Sequence, residues 1–123
     1  MIKRFHSVLF FVGDPSKTAN FYELIGFTVQ KYDDAVRVKM GDVTLAFMDE
    51  NKVTIDQEAH AKPRGLGLYF YFEVENVDTH YQSLLDNGIK PSSEPKSWPW
   101  GKREFVLRDP DGYKLIFYSP VKK

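Results

Sequence analysis

"HSVLFFVGDPSKTANFYELIGF", residues His6–Phe27, runs from an apolar strand-like segment through a helix start to a glycine stop. The Phe- and Val-rich run "RFHSVLFFV", residues 4–12, predicts a strand. Asp14 is placed to cap a helix, and Pro15 sits at the first helical position, where a missing N–H costs nothing. Ala19, Tyr22 and Ile25, with Thr18 and Phe21, recur near the helical period, and Gly26 is the expected C′ residue. The same order returns in "GLYFYFEVENVDTHYQSLLDNG", residues 67–88. There a strand precedes a helix whose apolar face holds Val77, Tyr81, Leu84 and Leu85, with Gly88 at its end. Val12 to Gly26 and Val74 to Gly88 both span 14 positions, so 74 − 12 = 62 relates two halves of one repeat.

Working outward, "FTVQKY", "AVRVKM" and "VTLAFM" are expected as three short strands after the first helix, with turns at Asp33-Asp34 and Gly41-Asp42. "IKPSS", "KREFVLRD" and "YKLIFYS" are their expected counterparts after the second. Each half then reads β-α-β-β-β. Gly26 and Gly41 lie 15 positions apart but Gly88 and Gly112 lie 24 apart, which assigns an insertion of nine residues to "EPKSWPWGK". That insertion is expected as a mobile flap, with Pro95 and Pro99 limiting its freedom. The expectation is one α+β domain over residues 1–123, built from two tandem βαβββ modules. Module one covers 1–48, a polar linker 49–65, and module two 66–119.

Composition narrows the functions. Lys+Arg and Asp+Glu both number 17, so no global field favours nucleic acid. With no cysteine, disulfides, thiolate metal sites and thiol nucleophiles are excluded. No apolar run approaches the roughly 20 residues of a membrane helix. The basic-then-apolar start lacks a cleavage site, which leaves the cytoplasm as the expected location. Aromatic residues make up 15% of the chain, a high share, and core filling is the first expectation for any single one of them because a small domain needs large apolar side chains inside.

Strand alternation sorts candidate site residues by face. Leu68, Phe70, Phe72 and Val74 share a side suited to a helix, while Tyr69, Tyr71 and Glu73 share the other. The offset of 62 puts Val8, Phe10 and Val12 on the helix side of module one and Phe5, Ser7, Leu9 and Phe11 opposite. Trp98 and Trp100 stand at the rim, facing either a ligand or a subunit interface, and Pro99 between them leaves their rings free to point apart. Arg103 is a candidate for an anionic ligand group, or pairs with Glu104 or Asp111; Glu73 is a candidate for a cationic one. His60 and His80 read as solvated, and Asp109-Pro110-Asp111-Gly112 as a turn whose carboxylates serve the backbone.

The paired modules, "VGDPSKTANFYELIGF" and "DPDGYKLIFY" together resemble the vicinal oxygen chelate (glyoxalase/bleomycin resistance protein/dioxygenase) superfamily. "PWGKREFVLRDPDG", residues 99–112, is similar to the bleomycin resistance protein branch. The resemblance implies that the two modules form a curled mixed sheet with a cleft, with metal ligands on the first and last strands of each module. Those positions here hold Ser7, Tyr69 and Ile116, with a fourth near Leu45 or Ala46, so neither a metal nor another cofactor is expected. His6 reaches a ligand position only if its strand slips by one residue, which reverses every side chain. The resemblance further implies a homodimer that binds a small molecule in a groove at its interface. The expected ligand is planar and aromatic, contacted by Trp98, Trp100, Arg103, Tyr69, Tyr71, Glu73 and Phe11, with no catalytic residue. The competing reading is a metal-dependent lyase, isomerase or dioxygenase with an atypical site.

Overall fold

Local chemistry at the two helices sets the frame of each half. A computed structural model describes residues 1–52 and 56–121. Strand β1 (Ser7–Val12) leads into helix α1 (Pro15–Leu24), capped by the Asp14 carboxylate, which accepts from the Ser16 and Lys17 amides at 3.0 and 3.4 Å. Strands β2 (Val29–Lys31), β3 (Ala35–Met40) and β4 (Val43–Asp49) complete the first set. In the second half β5 (Phe70–Glu73) leads to α2 (Val77–Asp86), where Asn76 Oδ1 accepts from the Thr79 amide at 3.0 Å. Strands β6 (Lys96–Ser97), β7 (Lys102–Arg108) and β8 (Lys114–Pro120) follow. Both helices end alike. The Gly26 and Phe27 amides donate to Glu23 and Tyr22 carbonyls, and the Gly88 and Ile89 amides to those of Leu85 and Leu84, which is a Schellman motif at equivalent places.

The chain divides into two compact units, Met1–Lys62 and Pro63–Lys123. Each holds one helix and a four-stranded mixed sheet, ordered β1-β4-β3-β2 in the first and β5-β8-β7-β6 in the second. The outer pairs β1–β4 and β5–β8 are parallel and the rest antiparallel. The α+β class and the two βαβββ modules are therefore as the sequence predicts. Val8, Phe10 and Val12 alternate with Ser7, Leu9 and Phe11 as expected, and Phe10 and Val12 are buried. Phe47 fills the first core, its ring 4.7 Å from Phe10 and 4.6 Å from Tyr22. Phe117 fills the second, 5.7 Å from Phe72, 5.5 Å from Phe105 and 4.7 Å from the His80 imidazole.

Several expectations change. Strand β5 begins at Phe70, so Leu68 precedes it and is exposed instead of packing on the helix. "IKPSS" forms no strand; its backbone meets β7 through the Ser92 amide and Val106 carbonyl (2.8 Å), and Lys96–Ser97 supplies the edge. Leu85 is exposed, and His80 takes its place in the buried stripe, because position 80 lies three beyond Val77 and four before Leu84. His80 is thus a packed residue, not a solvated one. The insertion is one residue shorter than expected. Phe10 pairs with Phe47 and Phe72 with Phe117, so the offset grows from 62 in the first strands to 70 in the last, eight residues in all. Gly41 and Gly112 are not equivalent, since Gly41-Asp42 is a two-residue loop and Pro110-Asp111-Gly112 a three-residue one. Within 49–65, the Asp49 carboxylate caps a turn at Asn51 (2.9 Å), and Gln57–His60 forms a single 3₁₀ turn. His60 rests 5.3 Å from the Phe11 ring with its Nε2 buried, which also departs from a solvated reading.

Candidate functional site

In module two, the sheet face away from α2 is built by alternation. Tyr71, Ile116 and Val106 form one cross-strand row, Glu73, Tyr118 and Glu104 the next, and Lys114 with Arg108 a third. These residues face away from the helix because Phe72, Phe105 and Phe117 face it. A groove of about 410 Å³ opens on this face. Val106 and Ile116 form its floor, with Tyr69, Tyr71, Trp98 and Trp100 around it, Glu104 at one end and Arg108 with Lys114 at the other.

Trp98 and Trp100 share a face after all. Their rings stack at 4.8 Å and 8°. The Gly101 amide donates to the Trp98 carbonyl at 3.1 Å, and the Trp98 amide to the Lys102 carbonyl at 2.9 Å. Pro99 follows Trp98, Trp100 has negative φ, and Gly101 has φ +84°. This is a three-residue hairpin loop: a type I turn closed by a left-handed glycine. The turn returns residue 100 beside residue 98, so the proline that left the rings free to point apart belongs to the turn that stacks them. The insertion forms a hairpin between β6 and β7. Lys96 Nζ lies 4.1 Å above the Trp98 ring and extends the stack.

Glu104 anchors this hairpin. Its carboxylate is buried, accepts from Trp100 Nε1 at 2.8 Å and from the Tyr71 hydroxyl at 3.2 Å. Burial, then the Glu104 charge, pushes the Tyr71 phenol above the ordinary tyrosine value. Glu104 is the carboxylate of the groove, and the sequence reading passed over it as a pairing partner for Arg103. Its signal was parity, since Glu104 alternates with the core residues Phe105 and Leu107 and therefore lies on the open face.

Of the predicted contacts, Tyr69, Tyr71, Trp98 and Trp100 are brought together. Glu73 lies on the same face at its margin, accepting from the Tyr118 hydroxyl at 3.1 Å, which raises the Tyr118 phenol. Arg103 is on the helix side. Its Nε and Nη2 each reach the Asp78 carboxylate of α2 at 2.9 Å, which lowers the Asp78 pKa and raises that of Arg103. Neither Glu104 nor Asp111 is its partner, because adjacent strand positions face opposite ways; Asp111 pairs with Arg64 at 3.7 Å. Phe11 belongs to module one, opposite Met48 on the open face and against His60. The Asp109 carboxylate accepts the Asp111 and Tyr113 amides at 2.9 and 3.0 Å, the expected backbone role.

Module one presents a groove of about 420 Å³ on its own open face, over Ser7, Leu9, Thr44 and Ala46, with Arg37 and Lys39 at its side. His6 borders it from before β1; the register Ser7↔Thr44 holds without a slip. Leu9↔Ala46 occupies the place of Tyr71↔Ile116, so Ala46, and not Leu45, corresponds to Ile116. The positions where the resemblance implies metal ligands thus hold Ser7, Ala46, Tyr69 and Ile116. Among the described residues no three of His, Cys, Asp and Glu converge. Two hydroxyls and two hydrocarbon side chains do not fit a resident divalent cation, which needs several carboxylate or imidazole donors.

The profile of the Glyoxalase/Bleomycin resistance protein/Dioxygenase superfamily matches residues 4–117. A bleomycin resistance protein of Geobacillus stearothermophilus is 27% identical over 122 residues, covering 90% of this chain and 92% of that one. A glyoxalase/bleomycin resistance protein/dioxygenase structure from Nocardioides superposes with a TM-score of 0.79 at 20% identity, covering 99% of this chain and 87% of that one. A lactoylglutathione lyase from Agrobacterium tumefaciens gives a TM-score of 0.72 at 20% identity, covering 96% and 94%. At that identity the last two share the fold alone. With a profile match over nearly its whole length and both βαβββ modules in place, the chain belongs to the Glyoxalase/Bleomycin resistance protein/Dioxygenase superfamily.

Proposed function

We propose that this protein is a cytoplasmic, metal-independent small-molecule binding protein that takes a planar aromatic ligand on the open face of module two, in a groove completed within a homodimer. The observation that carries the reading is the Trp98–Trp100 stack held on Glu104 at the mouth of an apolar-floored groove. Two indoles on an exposed hairpin have no core to fill, and Trp100 is 55% exposed. A flat ring inserted beside them gains about 0.5–1.5 kcal/mol beyond the area it buries. The similarity to a bleomycin resistance protein supports a binding role over catalysis. The lyase neighbour supports fold only, and the donor set disfavours a metal-dependent reaction.

The test is a tryptophan-emission titration of the purified protein with a panel of planar aromatic compounds, paired with metal analysis. Saturable change in emission with part of the panel, abolished by Trp100→Ala, is expected, with no stoichiometric divalent metal and no thermal shift on adding nickel, zinc or manganese. A bound stoichiometric metal, or a panel without effect, overturns the reading.

A further inference from the structure

The two ends of the module-two groove differ in charge. Glu104, Val106 and Arg108 alternate along β7, so the Cα atoms of Glu104 and Arg108 stand about 13 Å apart at roughly 3.3 Å per residue. Val106 and the buried Ile116 lie between as an apolar floor. At the far end Arg108 faces Lys114 directly across the strand pair. Like charges so placed destabilise a sheet. Among the described residues neither meets a carboxylate: Arg108 reaches only the Gly112 carbonyl at 3.5 Å, and Lys114 lies 5.3 Å above the Tyr69 ring.

Resting on the binding reading above, we propose that the ligand is an anionic aromatic compound, an aryl carboxylic acid, with its ring on Val106 and Ile116 and its carboxylate between Arg108 and Lys114. An anion there relieves the like-charge pair, and the guanidinium fork matches a carboxylate with two parallel hydrogen bonds. Glu104 at the other end repels the anion and so fixes one orientation. The acidic side chains offer a cationic ligand a poorer seat: Glu73 stands at the margin of the groove and already accepts from the Tyr118 hydroxyl. Glu104 is already occupied by Trp100 and Tyr71, and its surroundings carry Lys96 over Trp98 and Lys102 at 5.3 Å over Tyr118.

The experiment is isothermal titration calorimetry of the full-length protein with three compounds of one ring system: naphthoate, naphthamide and naphthylmethylamine. Naphthoate is expected to bind roughly tenfold to a hundredfold tighter than naphthamide, the range of a charge-assisted hydrogen bond. The double variant Arg108→Gln/Lys114→Gln should abolish the preference for naphthoate over naphthamide. A urea midpoint at or above that of wild type, as the loss of a like-charge pair implies, shows that the fold is intact. Equal binding of naphthoate and naphthamide, tightest binding of the amine, or an anion preference that survives the double variant overturns the proposal while ring binding stands. If none of the three binds, the aromatic-ligand reading falls with it.

Discussion

His80 shows how one side chain links packing to pH. Its ring is held against Phe105 and Phe117, and its Nε2 is buried without a hydrogen-bond partner among the described residues. Burial holds the imidazole below the ordinary value of 6.5. The unfolded chain therefore takes up a proton at a pH where the folded chain does not, and stability falls as pH drops through 6.5 toward the lowered value. His80→Leu removes that component. Urea midpoints of the variant should vary less than wild type between neutral and mildly acidic pH, and an acid loss equal to wild type rules out His80 as a source. Glu104 makes the complementary point. In "KREFVLRD" it is one charge among several, yet its burial and two donors make it the anchor of the tryptophan hairpin.

The element of most consequence is the loop Trp98-Pro99-Trp100-Gly101. It has the same form as Asp109-Pro110-Asp111-Gly112. In both, the glycine amide donates to the residue before the proline, at 3.1 and 3.0 Å, and the glycine has positive φ. The shared x-Pro-x-Gly spacing was present in the sequence, and comparing the two would have predicted the hairpin in place of a flap. Gly101→Ala tests it. A Cβ there meets nothing within 4 Å, so its cost is conformational, roughly 1–2 kcal/mol for a left-handed alanine. Stacked indoles couple their transitions, so wild type should show an exciton couplet in circular dichroism that the variant weakens alongside a lower urea midpoint. A full couplet at wild-type stability removes the glycine from the explanation.

At the scale of the molecule, each unit has its own aromatic core, and apolar side chains remain exposed at Phe5, Leu9, Leu66 and Leu68. The homodimer proposed above would bury apolar surface of this kind. Light scattering after size exclusion should give twice the 14.3 kDa chain mass across a dilution series. A single-chain mass at every concentration excludes the dimer and with it a groove shared between subunits.

The sequence by itself determined the repeat, both helices with their glycine stops, the Asp14 cap of the first, the α+β class and the faces of β1 and β5. These follow from short-range rules: capping geometry, helical period and strand alternation act within a few residues. Tertiary structure alone decided which residues meet across strands. Arg103 left the candidate site for Asp78, Glu104 entered it, Ala46 was matched with Ile116, and Arg108 was set against Lys114. Such pairings depend on register between segments far apart in the chain, and a one-residue change in loop length reassigns every partner.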